Sequence, residues 1–200
     1  RCPFCHNVDL QKIGKETGFV WEKFVDFLRE RRGKLDAVVF SGGEPLVQDA
    51  LADAIAEVKE LGYKIGIHTG GFRPELFKRI LPEVDWVGFD IKTPLKSERY
   101  DAAVGQKHFD KVMESLKALV ASGKSYECRT TCDPRLLSVA DIYTIADELK
   151  ALDVKEYYLQ QYRPIPSDKT STEADCEKFF DDKDLQLYLK KTFKIYDARK

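Results

Sequence analysis

The sequence predicts an α/β domain in which parallel strands alternate with helices. Two observations support this prediction. Short runs rich in β-branched and aromatic residues recur along the chain, and the stretches between them repeat apolar residues at the helical period. Repeated β-α units imply parallel strands joined by right-handed crossovers. Such a sheet is either open or curved into a partial barrel, and the pattern alone leaves both possibilities standing.

Five runs predict strands, at residues 37–40, 64–67, 86–89, 126–129 and 157–159. A helix precedes the first of these runs, because Trp21, Phe24 and Leu28 recur on one helical face. In a series of β-α units a helix follows a strand, so we expect one further strand upstream of Arg1.

Three amphipathic stretches predict helices between the strands. Their apolar residues are Leu51, Ile55, Val58 and Leu61 in the first, Phe109, Val112, Met113, Leu116 and Val120 in the second, and Ile142, Ile145, Leu149 and Leu152 in the third. Ser138 and Asp141 have the spacing of a capping box at the start of the third helix, and Gly62 and Gly123 are typical helix ends.

The last part of the chain is predicted to be less regular. Residues 163–184 are rich in Pro, Ser, Thr and Asp, and a final helix is expected at 184–197. Since no linker or low-complexity tract interrupts the pattern, residues 1–200 are predicted to form a single domain.

The composition excludes several classes of function. The 33 basic and 34 acidic residues nearly cancel, which leaves no broad basic surface for nucleic acid or anionic lipid. No apolar run approaches the roughly 18 residues that a membrane span requires. Five cysteines in a chain of this length do not indicate a disulfide framework, and they favour a cytoplasmic protein with thiols free for metal binding or packing.

Polar residues follow each predicted strand. These clusters lie at residues 41–44, 68–71, 90–92 and 129–131, with Gln160, Gln161 and Arg163 after the fifth run. In parallel α/β folds the carboxyl ends of the strands share one edge, where ligands bind. The sequence therefore predicts a ligand site at this edge.

Cys2-Pro-Phe-Cys5 admits several interpretations. With His6 it matches the motif for c-type haem attachment, and by itself it resembles a thioredoxin redox pair or half of a zinc site. Arg1-Cys2-Pro-Phe-Cys5-His6-Asn7 also resembles the end of a Cys-x3-Cys-x2-Cys iron–sulfur motif. Its first cysteine would then lie four residues before Cys2, upstream of this sequence.

A second motif favours the iron–sulfur interpretation. Ser41-Gly-Gly-Glu-Pro45 follows the first predicted strand, one β-α unit after the cysteine pair. Glycines at a strand end let a small cationic ligand approach the backbone, and carboxylate and carbonyl oxygens accept hydrogen bonds from an ammonium group. The two motifs together resemble the radical S-adenosylmethionine (SAM) superfamily, and the resemblance extends over most of the chain.

The resemblance implies a partial (β/α)6 barrel of the radical SAM type, with its first strand outside this sequence. It also implies two cofactors, a 4Fe–4S cluster and SAM. Cys2 and Cys5 would be cluster ligands. The residues that would contact SAM are Phe4, Gly42, Gly43, Glu44, Thr69, Gly70, Asp90, Lys92 and Arg129. The glycines and Glu44 would hold the methionyl amine, and Lys92 would pair with the carboxylate.

Looser motifs at residues 85–92, 129–131 and 159–164 resemble the activases of glycyl-radical enzymes. This branch implies an oxidoreductase that generates a glycyl radical on a partner enzyme, with anaerobic ribonucleoside-triphosphate reductase as the expected partner and a flavodoxin or ferredoxin as electron donor. Two alternatives stay open: a radical SAM enzyme acting on a small molecule or peptide, like 7-carboxy-7-deazaguanine synthases or maturases, and a non-enzymatic zinc or thiol scaffold.

The missing third cysteine leads to one further expectation. With only Cys2 and Cys5 as cluster ligands and one strand absent, the 200-residue chain alone is predicted to hold no stable cluster and to be inactive.

Overall fold

The computed structural model describes residues 18–105, 107–165 and 168–200. Its centre is one sheet of six parallel strands, arranged in the order in which they occur along the chain. The strands are β1 (Ala37–Phe40), β2 (Lys64–Thr69), β3 (Trp86–Asp90), β4 (Ser125–Cys132), β5 (Glu156–Gln161) and β6 (Ile195–Arg199). The first five are the predicted strands. The α/β fold with parallel strands is thus confirmed.

Eight helices occur in the described part of the chain. They are α1 (Trp21–Glu30), α2 (Leu51–Glu60), α3 (Pro74–Ile80), α4 (Ser97–Val104), α5 (Phe109–Ala121), α6 (Val139–Ala151), α7 (Glu173–Asp181) and α8 (Lys183–Thr192). Two single turns of 3₁₀ helix, Pro45–Val47 and Leu81–Glu83, follow β1 and α3. No helix in these ranges is long and apolar enough to cross a membrane.

The sequential strand order places the helices on one face of the sheet. A right-handed crossover between neighbouring parallel strands always puts its helix on the same side. Every second strand residue points to that side, and there Ile67, Phe89 and Leu159 belong to a core that runs from Leu28 to Phe193. The opposite face, which we call the inner face, carries the remaining side chains, among them His68 and Arg129.

The helix boundaries follow the predicted local signals. The Ser138 side chain accepts a hydrogen bond from the Asp141 N–H, and Asp141 accepts one from the Ser138 N–H, so the capping box of α6 is confirmed. Gly62 and Gly123 follow α2 and α5 with φ angles of 90° and 68°. These left-handed conformations favour glycine and end both helices.

Two predictions about the last part of the chain are wrong. Residues 163–184, expected to be irregular, contain α7, which begins at a capping box formed by Thr172 and Asp175. The helix expected at 184–197 ends at Thr192, and strand β6 follows it. Pairing with β5 supplies the hydrogen bonds of β6, and Tyr196 and Ala198 pack against the core. The strand expected upstream of Arg1 lies outside the described residues.

Candidate active site

The carboxyl ends of β1 to β4 bring most of the predicted ligand residues to one edge of the sheet. The loop containing Gly42 to Glu44 follows β1, and Thr69 is the last residue of β2, with Gly70 next to it. Asp90 ends β3 and lies directly opposite Arg129 of β4 in the parallel register. The predicted site residues among the described ones therefore share one location.

The Glu44 carboxylate ties the loop after β1 to the end of β2. Its Oε1 accepts hydrogen bonds from the Thr69 hydroxyl at 2.6 Å and the Leu46 N–H at 3.2 Å. Its Oε2 accepts one from the Gly70 N–H at 2.7 Å. Burial raises the pKa of Glu44, while the hydrogen bonds from Thr69, Gly70 and Leu46 act in the opposite direction.

These contacts define the place of Glu44 in the site. Both carboxylate oxygens already accept hydrogen bonds from protein donors, so the side chain holds two loops in a fixed relation. Gly42 and Gly43, directly before it, are exposed, and Gly42 has a φ of 114° that a residue with a Cβ atom rarely adopts. The loop thus presents backbone, without side chains, at the end of β1.

Asp90 lies between two cations. Its Oδ2 accepts a hydrogen bond from the Lys92 ammonium at 2.7 Å, and its Oδ1 accepts one from the Arg129 Nε–H at 2.5 Å. Burial raises the pKa of Asp90, but Lys92 and Arg129 outweigh it and bring the pKa below its usual range. Ile91 is fully buried on the other side. The alternation of Asp90 and Lys92 about Ile91 is therefore as the sequence predicts.

Ser41 and His68 belong to the predicted polar clusters, although the sequence assigned neither a specific role, and both lie at this edge. The His68 Nδ1 is 3.2 Å from the Ser41 hydroxyl oxygen, and the His68 ring packs edge-on against Trp86 with 5.4 Å between centroids. Burial and the neighbouring Arg129 lower the pKa of His68, which favours a neutral ring. In β2, His68 alternates with Ile65 and Ile67, which face the core. This alternation is the sequence signal that places His68 on the inner face.

Gly88 forms the floor between these side chains. A Cβ atom at Gly88 would lie 2.9 Å from each of three atoms: Arg129 Nη1, His68 Cδ2 and Trp86 Cη2. Since real Cβ atoms do not approach other atoms so closely, glycine is required here for the Arg129 guanidinium to lie across β3.

The predicted cluster ligands Cys2 and Cys5, and Phe4 between them, lie outside the described residues. Cys128, Cys132 and Cys176 are buried free thiols. Burial raises the pKa of Cys128 and Cys132 well above the usual value, which keeps both protonated. In the ranges that the structure describes, no three His, Cys, Asp or Glu side chains are grouped to hold a metal ion.

Parallel strands in sequential order, with a glycine-containing polar site at their carboxyl ends, define a protein of the partial α/β-barrel class. The family model of the Radical SAM superfamily matches residues 1–132 of this chain. The chain therefore belongs to the radical SAM superfamily.

Three comparisons describe its relatives. A protein of Methanocaldococcus jannaschii, provisionally named a glycyl-radical enzyme activating enzyme, is 32% identical over 174 residues, which are 82% of this chain and 69% of that protein. Streptococcus suis SuiB bound to S-adenosylmethionine has a TM-score of 0.73 at 15% identity, covering 100% of this chain and 47% of SuiB. A domain of pyruvate-formate lyase-activating enzyme from Bacteroides vulgatus has a TM-score of 0.63 at 15% identity, covering 82% of this chain and 99% of that domain. At 15% identity the two structures show the shared fold alone.

The cofactors of this superfamily are a 4Fe–4S cluster and SAM. The described residues fit the methionyl end of SAM, which carries an ammonium and a carboxylate group. Gly42 and Gly43 expose backbone at the end of β1, where an ammonium group can approach, and the Lys92 ammonium lies at the end of β3. The cluster ligands Cys2 and Cys5 stay a prediction, because they lie outside the described residues.

Proposed function

We propose that this protein is a radical SAM activase that generates a glycyl radical on a partner enzyme. The observation that carries the proposal is the 32% identity, over 82% of the chain, to the Methanocaldococcus jannaschii protein named as an activase of this kind. The pyruvate-formate lyase-activating domain shares the fold, so the fold accommodates this function without deciding it.

In this proposal the chain's residues bind and orient the two cofactors. When bound, the reduced cluster and SAM supply a 5′-deoxyadenosyl radical that removes a hydrogen atom from a glycine Cα. Cys2 and Cys5 bind the cluster, together with a third cysteine upstream of Arg1, and the Phe4 backbone contacts the adenine.

The described residues hold the amino-acid end of SAM. Gly42 and Gly43 accept hydrogen bonds from its ammonium group, and Thr69 and Gly70 line the same edge. Glu44 keeps these loops in place through its three hydrogen bonds. The Lys92 ammonium pairs with the SAM carboxylate, while Asp90 orients Lys92. Arg129 orients Asp90 from the opposite side.

The proposed partner is an anaerobic ribonucleoside-triphosphate reductase in the cytoplasm, and the proposed electron donor is a flavodoxin or ferredoxin. The motifs at residues 85–92 and 159–164, which resemble this branch of activases, support the partner. In the structure, both motifs reach the carboxyl edge of the sheet, at β3 and β5. A polypeptide loop that presents its glycine would approach that edge.

Electron paramagnetic resonance tests the proposal. The protein is used in a form that includes the cysteine expected upstream of Arg1, with its cluster reconstituted, together with SAM, a reductant and a candidate reductase. We expect a glycyl-radical signal that requires SAM. Cys5→Ala is the matched control, because it removes a cluster ligand and should abolish the signal.

SAM cleavage, measured in the same samples, separates the possible outcomes. An intact cluster with SAM cleavage but no glycyl radical would contradict the activase function and leave the superfamily membership in place. A product formed from a small molecule or a short peptide under those conditions would favour the alternative class of radical SAM enzymes. Zinc at stoichiometric level without iron, in protein purified anaerobically before reconstitution, would contradict the cluster itself.

A further inference from the structure

A row of alternating charges crosses the inner face of the sheet. It consists of Lys92, Asp90, Arg129, Glu127 and Arg199, and we call these five residues the charge row. Neighbouring members contact each other in this order, with opposite charges at every step. The row connects the proposed SAM site at the end of β3 with the last strand, β6.

Glu127 is the most buried carboxylate of the row. Its side chain is 5% exposed, so its carboxylate is costly to leave without a cation. The Arg199 guanidinium supplies that cation with two hydrogen bonds, from Nη1 to Oε1 and from Nη2 to Oε2, both 2.7 Å long. The Arg199 guanidinium also lies over the Tyr158 ring, with Cζ 3.9 Å from the ring centroid. Bidentate pairing and stacking fix this guanidinium in one orientation.

The Arg129 guanidinium lies between two carboxylates, Asp90 and Glu127. Its Nε donates to Asp90 at 2.5 Å, whereas its Nη1 is 3.9 Å from Glu127, beyond hydrogen-bonding distance. Because Arg199 already satisfies both oxygens of Glu127, Arg129 is left to Asp90. Without Arg199, the buried Glu127 would attract Arg129, and Asp90 would lose one of its two cations.

The loss of Arg129 from Asp90 would also change how Lys92 is held. Asp90 has a lowered pKa because two cations stabilise its carboxylate. If Arg129 turned to Glu127, the partly buried Asp90 carboxylate would keep Lys92 as its neighbouring cation, and the Lys92 ammonium would be held more strongly to Asp90. A lysine engaged in this way is less available to a carboxylate ligand at the end of β3.

We propose that Glu127 and Arg199 are positioning residues for SAM binding, acting through Arg129 and Asp90 on Lys92. This inference rests on the proposed role of Lys92 at the SAM carboxylate. It does not depend on which substrate loses its hydrogen atom. It assigns to β6, the strand farthest from the glycine loop, a part in cofactor affinity.

Anaerobic titration calorimetry with SAM tests the inference on the cluster-reconstituted protein. We expect Arg199→Met to weaken SAM binding about tenfold, which corresponds to about 1.4 kcal/mol. Glu127→Gln removes the competing charge and should weaken binding only about two- to threefold. The double variant should bind within about twofold of wild type, because neither the buried charge nor its partner is then present.

A matched control separates positioning from stability. Arg99 and Asp141 form a comparable bidentate pair between α4 and α6, with N–O distances of 2.5 and 2.6 Å, and neither residue belongs to the charge row. Arg99→Met should lower the urea midpoint without changing SAM affinity. Arg199→Lys keeps the positive charge but cannot form the two parallel hydrogen bonds to Glu127. It is the second variant to measure if Arg199→Met does not fold.

Two results would overturn the inference. One is unchanged SAM affinity in Arg199→Met and Arg199→Lys. The other is a double variant that binds as weakly as Arg199→Met. Because SAM affinity is read directly, a protein that binds SAM as expected but forms no glycyl radical would contradict the proposed function and leave the role of Glu127 and Arg199 standing.

Discussion

At the scale of single residues, the backbone conformation just after β2 requires a glycine at position 71. Its φ is 74°, and a Cβ atom there would lie 2.4 Å from Cζ of Phe89 and 3.0 Å from Cβ of Ser115. The Ser115 hydroxyl also donates a hydrogen bond to the Gly71 carbonyl at 2.6 Å. We therefore expect Gly71→Ala to lower the free energy of unfolding by about 3–5 kcal/mol, from backbone strain and overpacking together.

Gly123→Ala is the control for this prediction. Gly123 has a similar φ of 68°, but a Cβ atom there would meet nothing within 4 Å. Gly123→Ala should lower the free energy of unfolding by only about 1–2 kcal/mol, the cost of holding alanine in the left-handed conformation. Urea unfolding followed by circular dichroism measures both variants, and equal losses would show that the contact with Phe89 does not matter.

Glu44 connects the two loops of the candidate site through three accepted hydrogen bonds. In Glu44→Gln an NH2 group replaces one acceptor, so at least one of these donors is left unsatisfied. We expect a loss of about 1–3 kcal/mol in stability and about a tenfold weaker affinity for SAM. Glu57→Gln is the control, because Glu57 accepts one hydrogen bond from Trp21 at 2.6 Å, away from the site. Unchanged SAM binding in Glu44→Gln would contradict the role of Glu44.

His68 predicts a pH dependence of stability. Its pKa lies below the usual value of 6.5, because burial and the facing Arg129 and Arg199 outweigh Asp90 and Glu127. Below pH 6.5 the unfolded chain therefore takes up a proton that the folded protein resists, and stability falls as the pH falls. His68→Gln should lose less stability between about pH 7.5 and about pH 5.5 than wild type. Urea midpoints of both proteins at both pH values measure this loss. An identical loss in His68→Gln and wild type would show that His68 does not cause the pH dependence.

At the scale of elements, α7 begins at Thr172, whose hydroxyl accepts a hydrogen bond from the Asp175 N–H. We expect Thr172→Ala to cost about 1 kcal/mol, as is usual for the loss of an N-cap. Ser138→Ala, at the equivalent position of α6, should cost a similar amount. Thermal unfolding compares the two variants, and a neutral Thr172→Ala would mean that α7 does not need its cap.

These elements also show how far the sequence predicts the structure. Strands β1 to β5 were predictable because each contains a short run of β-branched or aromatic residues. Strand β6 was not, because its apolar residues alternate weakly and it begins at Ile195, shortly after α8 ends at Thr192. Its pairing with β5 therefore decides its conformation. The start of α7 had a usable signal, since Thr172 and Asp175 have capping-box spacing within a stretch otherwise rich in turn residues.

The candidate site shows the same division. Its location followed from the rule that parallel strands end at one edge, and the Asp90–Lys92 pair followed from strand alternation. The direction of the Glu44 carboxylate did not follow, because it depends on where the loop after β2 places the Gly70 N–H. Glu127 and Arg199 are 72 positions apart in the sequence, so no local sequence pattern predicts their pairing.

At the scale of the whole molecule, one core joins the elements from the first helix to the last strands. Buried side chains form a continuous cluster from Leu28 in α1 to Phe193 after α8. The Tyr63 hydroxyl donates a hydrogen bond to the Leu28 carbonyl at 2.6 Å and ties α1 to the segment before β2. Such continuity favours unfolding as a single cooperative unit.

The two tryptophans allow this cooperativity to be measured at two distant places. Trp21 lies in α1 and donates a hydrogen bond to Glu57 of α2, while Trp86 lies on the inner face in β3. Trp86→Phe leaves Trp21 as the fluorescent probe, and Trp21→Phe leaves Trp86. In each variant we expect the fluorescence transition in urea to coincide with the circular dichroism transition of that same variant. A Trp21 transition at lower urea would mean that α1 separates from the sheet before the core unfolds.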